Sequence, residues 1–114
     1  MEVDIIPFLE KIIDRTNRHI CSWEKTGTDA YRLLLRNGSV TIIKEKEPAI
    51  PLSLDLPVLY RLRIFDQADC FFSLDITNRS TKQFAVVDKL FESVRCEENR
   101  VINEKLSSLL KELS

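Results

Sequence analysis

Two neighbouring runs of alternating apolar and polar residues constrain this chain more than any other feature. In the run 60–65 the apolar side chains alternate with Arg61 and Arg63, and the run 70–76 alternates again. Alternation with a period of two is typical of a β-strand that is buried on one face. The two runs, separated by the short polar segment 66–69, therefore predict a β-hairpin.

The buried side chains of this hairpin also predict how its strands pair. If Ile64 lies opposite Phe72, the apolar residues at the alternating positions of both strands share one face. This pairing predicts a connecting loop with an odd number of residues, three or five. On the opposite face it pairs Arg61 with Asp75, Arg63 with Ser73, and Phe65 with Phe71.

A second hairpin is predicted around Asn37-Gly38, which separates two largely apolar runs. Asn-Gly is a strong hairpin signal because a type I′ turn needs positive φ at both central residues. A two-residue loop at this point pairs Arg36 with Ser39 and divides the two strands into two faces. The more apolar face contains Tyr31, Leu33, Leu35, Val40 and Ile42, and the other contains Arg32, Leu34, Arg36, Thr41 and Ile43.

The N-terminal segment predicts an amphipathic helix of about 16 residues, capped by Asp4 and with Pro7 in its first turn. The segment 22–29 contains Gly27 and turn-forming residues, so we expect a loop there, with Trp23 folded back on the helix end.

After the hairpins, Ser80–Gln83 matches a capping box and predicts the start of a second helix. The apolar residues from Ile102 onward are out of phase with those before Cys96. We therefore expect a break or bend near 96–99 and a third helix that extends to the C-terminus. Ile102, Leu106, Leu109 and Leu113 have heptad spacing, but the repeat is too short for a coiled coil, so we expect this helix to pack on the sheet.

The segment 45–57 between the hairpins contains Pro48, Pro51 and Pro57, which disfavour a helix or a central strand. We predict an extended, proline-rich connector here. Its alternating aliphatic residues predict that one side of the connector packs on the domain or on a partner: Ile50, Leu52, Leu54 and Leu56.

Together these elements predict one α+β domain over residues 1–114. We expect a four-stranded antiparallel sheet from two hairpins, with the N-terminal helix and two C-terminal helices on one face. The 17 basic and 18 acidic residues nearly cancel, so the charge gives no global attraction to nucleic acid or to anionic membranes. The acidic N-terminus and the lack of a long apolar run predict a cytoplasmic protein with no membrane contact.

The chain offers little material for catalysis. His19 is the only histidine, and two glycines in total are too few for a glycine-rich phosphate loop. The cysteines 21, 70 and 96 are widely spaced, without the pairing of a zinc site. We expect Glu97 and Glu98 to be solvated. The sequence thus predicts no catalytic residues, no metal and no cofactor.

What remains is the predicted outer face of the sheet, on which arginines alternate with aromatic and aliphatic residues. Arginine and aromatic residues are enriched at protein interfaces, which predicts a protein partner or a homodimer. The same mixture could bind single-stranded nucleic acid, although Asp75 opposite Arg61 would repel a phosphate. The predicted surface consists of Arg32, Leu34, Arg36, Ile43, Arg61, Arg63, Phe65 and Phe71.

Overall fold

The computed structural model describes residues 3–46, 58–77 and 80–114. Within this part of the chain there are two helices and five strands, and the strands form one antiparallel sheet in the order in which they occur. The elements are α1 (Ile6–Asn17), β1 (Trp23–Gly27), β2 (Ala30–Leu35), β3 (Gly38–Lys46), β4 (Val58–Phe65), β5 (Cys70–Ile76) and α2 (Lys82–Leu113).

The core lies between the inner face of this sheet and the two helices, which also pack against each other. At its centre the ring of Phe91 in α2 contacts Tyr31 and Tyr60, with centroid distances of 5.6 and 5.7 Å. The α+β class is thus confirmed, and most of the predicted inner face is buried, but Leu35, which was predicted on this face, is 45% exposed at the end of β2. The sheet contributes Tyr31, Leu33, Val40, Ile42, Tyr60, Leu62, Ile64 and Ile76, and the helices contribute Leu9, Ile12, Ile13, Phe84, Val87, Leu90, Phe91 and Val94.

The predicted pairing of β4 with β5 is confirmed from Tyr60 to Ile64, and Ile64 lies opposite Phe72. The predicted odd loop is wrong, because four residues, 66–69, connect the strands. A β-bulge between Ile64 and Phe65 accounts for the difference: Phe65 pairs with Cys70, and Phe71 is the extra residue. The predicted pair of Phe65 with Phe71 therefore does not form.

The β2–β3 hairpin turns one residue earlier than predicted, at Arg36-Asn37, and Leu35 pairs with Gly38. Each residue of the two strands stays on its predicted face of the sheet. Moving the turn by one residue shifts every partner along the strand by two positions, and residues two apart share a face. The turn is not type I′, since His19 is the one residue with positive φ in the described part of the chain. Gly38 instead permits close approach of β4, because a Cβ atom there would collide with the carbonyl oxygen of Phe65.

The sheet has five strands rather than four because Trp23–Gly27, predicted as a loop, forms the edge strand β1 beside β2. Only Trp23 in this strand is partly buried. Its indole nitrogen donates a hydrogen bond to Thr16 Oγ1 on α1 at 3.1 Å, so the expected contact of Trp23 with the helix end is present.

The helices also differ from the prediction. The first is shorter, with 12 residues, and its N-cap is Ile5 rather than the predicted Asp4, although the Asp4 carboxylate accepts a hydrogen bond from the Ile6 amide at 3.1 Å. The second is capped by Thr81, whose hydroxyl accepts from the Phe84 amide at 3.1 Å. It continues without a break for 32 residues, so the described residues contain two helices and not three.

Most of the proline-rich connector lies outside the described residues, which resume at Val58. The prediction that Ile50, Leu52, Leu54 and Leu56 pack on the domain or on a partner therefore concerns residues that the structure does not describe. In the described ranges, neither helix combines the length and the apolar character that a membrane span needs.

Candidate interaction surfaces

Seven of the eight residues predicted to form an interaction surface lie in strands, and six of these pair regularly on the outer face of the sheet. Thr41 in β3 has Arg32 on one side and Arg63 on the other, and Arg61 lies opposite Ile43. Leu34 and Phe65 are on either side of Ser39. The other two residues are placed differently: Arg36 is in the β2–β3 turn, and Phe71 is the extra residue of the β5 bulge.

Three of the four arginines on this surface are ion-paired. Arg32 pairs with Glu24 at 2.7 Å, Arg61 with Glu45 at 3.3 Å, and Arg63 with Asp75 at 2.7 Å. Asp75 lies opposite Arg61 as predicted, but its ion pair is with Arg63, which holds the pKa of this carboxyl below its usual range. The carboxylates weaken the attraction of the face for phosphate groups.

The outer face carries exposed apolar side chains at one end. Leu34 and Phe71 are 56% and 65% exposed, while Phe65 is partly buried. Single exposed apolar residues are common on protein surfaces, and two exposed apolar side chains are not unusual for a monomer. This end of the sheet is therefore a modest candidate for a contact surface.

A larger apolar surface lies on the C-terminal half of α2. Every residue from Ile102 to Ser114 is exposed, although five of them are large aliphatic residues on one side of the helix. We call these residues the α2 stripe. It consists of Ile102 (44% exposed), Leu106 (58%), Leu109 (55%), Leu110 (67%) and Leu113 (84%).

The α2 stripe does not continue the face with which α2 packs on the domain. At about 100° of rotation per residue, the stripe is turned by about 90° from the buried positions between Phe84 and Val94. The helix, about 48 Å long at 1.5 Å per residue, therefore leaves the core with its apolar side directed away from the sheet contacts. The packed first half nucleates this segment, so it can remain helical while its large apolar side chains stay exposed.

His19 adopts an unusual backbone conformation at the end of α1. Its φ angle is 63°, and the amides of His19 and Ile20 donate to the carbonyls of Thr16 and Arg15 at 3.0 Å each. These two bonds define a Schellman motif, whose left-handed position is usually occupied by glycine. Histidine in this conformation costs more backbone energy than glycine would.

The side chain of His19 contacts Glu97 on α2, with His19 Nδ1 lying 2.5 Å from Glu97 Oε2. The same carboxylate accepts from Arg100 at 2.5 Å, and Arg100 also pairs with Glu104 at 2.5 Å. The Glu97 side chain is only 9% exposed. Its pKa is lowered mainly by the Arg100 hydrogen bonds and further by His19, against the opposing effect of burial.

A cleft of about 510 Å³ lies beside this network, between the end of α1, β1 and α2. His19, Cys21 and Tyr31 are among its lining residues. Burial, followed by the nearby carboxylate of Glu98, raises the pKa of Tyr31 to about 12, so this hydroxyl stays protonated at neutral pH. The carboxylate of Glu97 is already engaged by His19 and Arg100, which favours a role in joining α1 to α2 over a role as a general base.

Sequence reasoning gave His19 no catalytic or metal-binding role and placed Glu97 in solvent, and it missed their contact. The signal was present for Glu97, which lies three residues after Val94 and so continues the buried face of an unbroken helix. The predicted break at 96–99 hid this continuation. No comparable signal joins His19 to Glu97, since they are 78 residues apart.

The sequence matches no protein-family model, and no curated protein or solved structure matches it either.

Proposed function

We propose that this protein is a non-enzymatic interaction domain that acts by self-association. The observation that carries this proposal is the α2 stripe, an apolar surface of five aliphatic side chains that the domain leaves exposed. Apolar stripes on a helix are normally buried against a partner, because leaving such side chains in water gives up the free energy of burial.

The outer face of the sheet supports the same proposal less strongly. It holds exposed Leu34 and Phe71 at one end, while its arginines are largely matched by acidic residues of the same face. Nucleic-acid binding, the alternative function, loses support for the same reason, because a phosphate backbone would have to compete with Glu24, Glu45 and Asp75.

Self-association is tested by light scattering over a wide range of protein concentrations. Reducing conditions are needed because all three cysteines are free thiols. We expect the average mass to rise with concentration, and we expect the double variant Leu106→Glu/Leu109→Glu to remain monomeric. The matched control is Ser107→Glu/Ser108→Glu, which adds the same charge on the opposite side of the same helix and should leave association unchanged.

A wild-type protein that stays monomeric at every concentration would overturn the proposal. If the wild type associates and the stripe variant does so equally well, the contact surface lies elsewhere. The variant Phe65→Ser/Phe71→Ser then tests the outer face of the sheet, and its loss of association would move the interaction to the predicted surface.

A further inference from the structure

We propose that the α2 stripe binds the same stripe of a second copy of this chain in antiparallel orientation. This inference rests on the self-association proposed above and adds the partner, the orientation and the residues in contact. In this arrangement Leu106 packs against Leu109 of the second copy, and Ile102 packs against Leu113. A two-fold axis then crosses the contact at the level midway between residues 107 and 108 along the helix.

Spacing along the helix supports this pairing. The stripe residues Ile102, Leu106, Leu109 and Leu113 are separated by four, three and four positions, a spacing that reads identically in both directions. Two antiparallel copies therefore align all four side chains in four layers, as in the seam of a short coiled coil. Such a contact is self-complementary and closes on itself, as a two-fold interface requires.

The position of the domain on α2 also permits this orientation. The buried residues of α2 all lie in its first half and end at Glu97, and residues 102–114 are exposed. In an antiparallel pair the two domain bodies lie at opposite ends of the paired segments. A parallel pair would bring both bodies to the same end, where they would have to share space beside one another.

The charged residues beside the stripe distinguish the two orientations. Lys105 and Glu112 lie on the same flank of the stripe, seven positions apart. Because the two-fold axis places each flank against the same flank of the second copy, Lys105 lies beside Glu112 of that copy, and the reverse contact forms as well. In a parallel pair this flank would face the opposite one, which presents Asn103 and Leu110 and offers no charge to either residue.

The size of the surface fits a weak but specific dimer. If each of the five side chains loses roughly 100 Å² of accessible area, the two copies together bury about 1,000 Å², which is near the lower limit for a specific interface. An interface of this size should dissociate on dilution, so its affinity can be measured and compared between variants.

The test is a charge exchange measured by sedimentation equilibrium. Lys105→Glu and Glu112→Lys each place like charges together at both symmetric contacts, and each should weaken the dimer by about tenfold at low salt. The double variant Lys105→Glu/Glu112→Lys restores both opposite-charge contacts and should recover the wild-type affinity. Lys111→Glu is the matched control, since it makes the same charge change on the far side of the helix.

The outcomes separate this inference from the function on which it rests. Absence of any wild-type dimer overturns both. If the wild type dimerises but the double variant loses as much affinity as the two single variants lose together, the antiparallel contact alone is overturned and self-association stands. The antiparallel contact is also overturned if Lys111→Glu weakens the dimer as much as Lys105→Glu does, because that result would show a general effect of charge. Circular dichroism should show the same helix content in all variants.

Discussion

The two halves of α2 have similar apolar content but opposite surroundings. In the first half, Val87, Leu90, Phe91 and Val94 have no exposed area, whereas in the second half Leu109 is 55% exposed and Leu113 is 84% exposed. Both halves belong to one unbroken helix. The spacing of apolar residues along a helix therefore indicates which side is apolar. Whether that side is buried depends on whether the helix lies over the sheet at that point.

The difference has a direct energetic meaning. The first half is held by the core and by the contacts of Glu97 with His19 and Arg100, whereas the apolar side chains of the second half from Ile102 onward are exposed. Helix formation is cooperative, so the second half can propagate from the first without a packing contact. It should therefore be a helix that opens easily until a partner covers it.

Hydrogen exchange should show the largest contrast between the two halves. In dilute solution we expect the amides of 102–113 to exchange at least about a hundredfold faster than those of 84–97, because fraying of an unpacked end needs little free energy. At concentrations where the dimer forms, exchange in 102–113 should slow, while exchange in 84–97 stays the same. Uniform protection along α2 in dilute solution would contradict the comparison.

Truncation of one large side chain in each half gives the next largest effect. Phe91→Ala removes the ring that contacts Tyr31 and Tyr60 and should lower the free energy of unfolding by about 3–5 kcal/mol. Leu109→Ala is the control in the second half, and in dilute solution it should cost less than about 0.5 kcal/mol. Urea unfolding followed by circular dichroism measures both, and comparable losses would show that Leu109 is buried in the monomer.

Glu97 marks the end of the buried half, and its replacement should have a smaller effect. Glu97→Gln leaves His19 and Arg100 without their shared carboxylate and should cost about 1–3 kcal/mol near neutral pH. Glu104→Gln is the control, because Glu104 contacts the same arginine but is 66% exposed, and it should cost less than about 0.5 kcal/mol.

The pH dependence of the wild type checks the same contact. The folded chain holds the pKa of Glu97 below its ordinary value of 4.5, so the carboxylate contributes its stabilisation above that pH. The contribution is lost as the pH falls through the lower pKa of the folded state. Thermal melts from pH 7 downward should therefore show a smaller loss of stability in Glu97→Gln than in the wild type, and parallel curves would exclude this role.

The inner face of the sheet was the part of the fold most open to prediction. Residues two positions apart in a strand, such as Leu62 and Ile64, share a face whatever the exact register. The prediction of the inner face therefore holds despite the earlier turn at Arg36-Asn37 and the bulge near Phe65. The strand β1 was missed for a physical reason. An edge strand is held mainly by backbone hydrogen bonds, and only Trp23 in β1 is partly buried, so there was no apolar pattern to detect.

The long helix α2 was predicted wrongly although its sequence does carry a clear apolar pattern, because we assigned that pattern to the wrong cause. The apolar side of α2 rotates after Cys96, and we attributed this rotation to a bend that would keep both stripes on the sheet. A helix can remain straight if the second stripe, from Ile102 onward, is not buried by the domain at all. The predicted surface on the outer sheet face, by contrast, is a hypothesis that only binding experiments can test.

The strand order has a consequence for how the chain folds during synthesis. Every strand pairs with its neighbour in sequence, so each hairpin can form soon after its second strand leaves the ribosome. The α1 helix cannot complete its packing so early, because its end meets α2 through His19 and Glu97, which are 78 residues apart. Nascent α1 should therefore keep an uncovered apolar side until α2 is made, and this is the interval in which a chaperone would bind the chain.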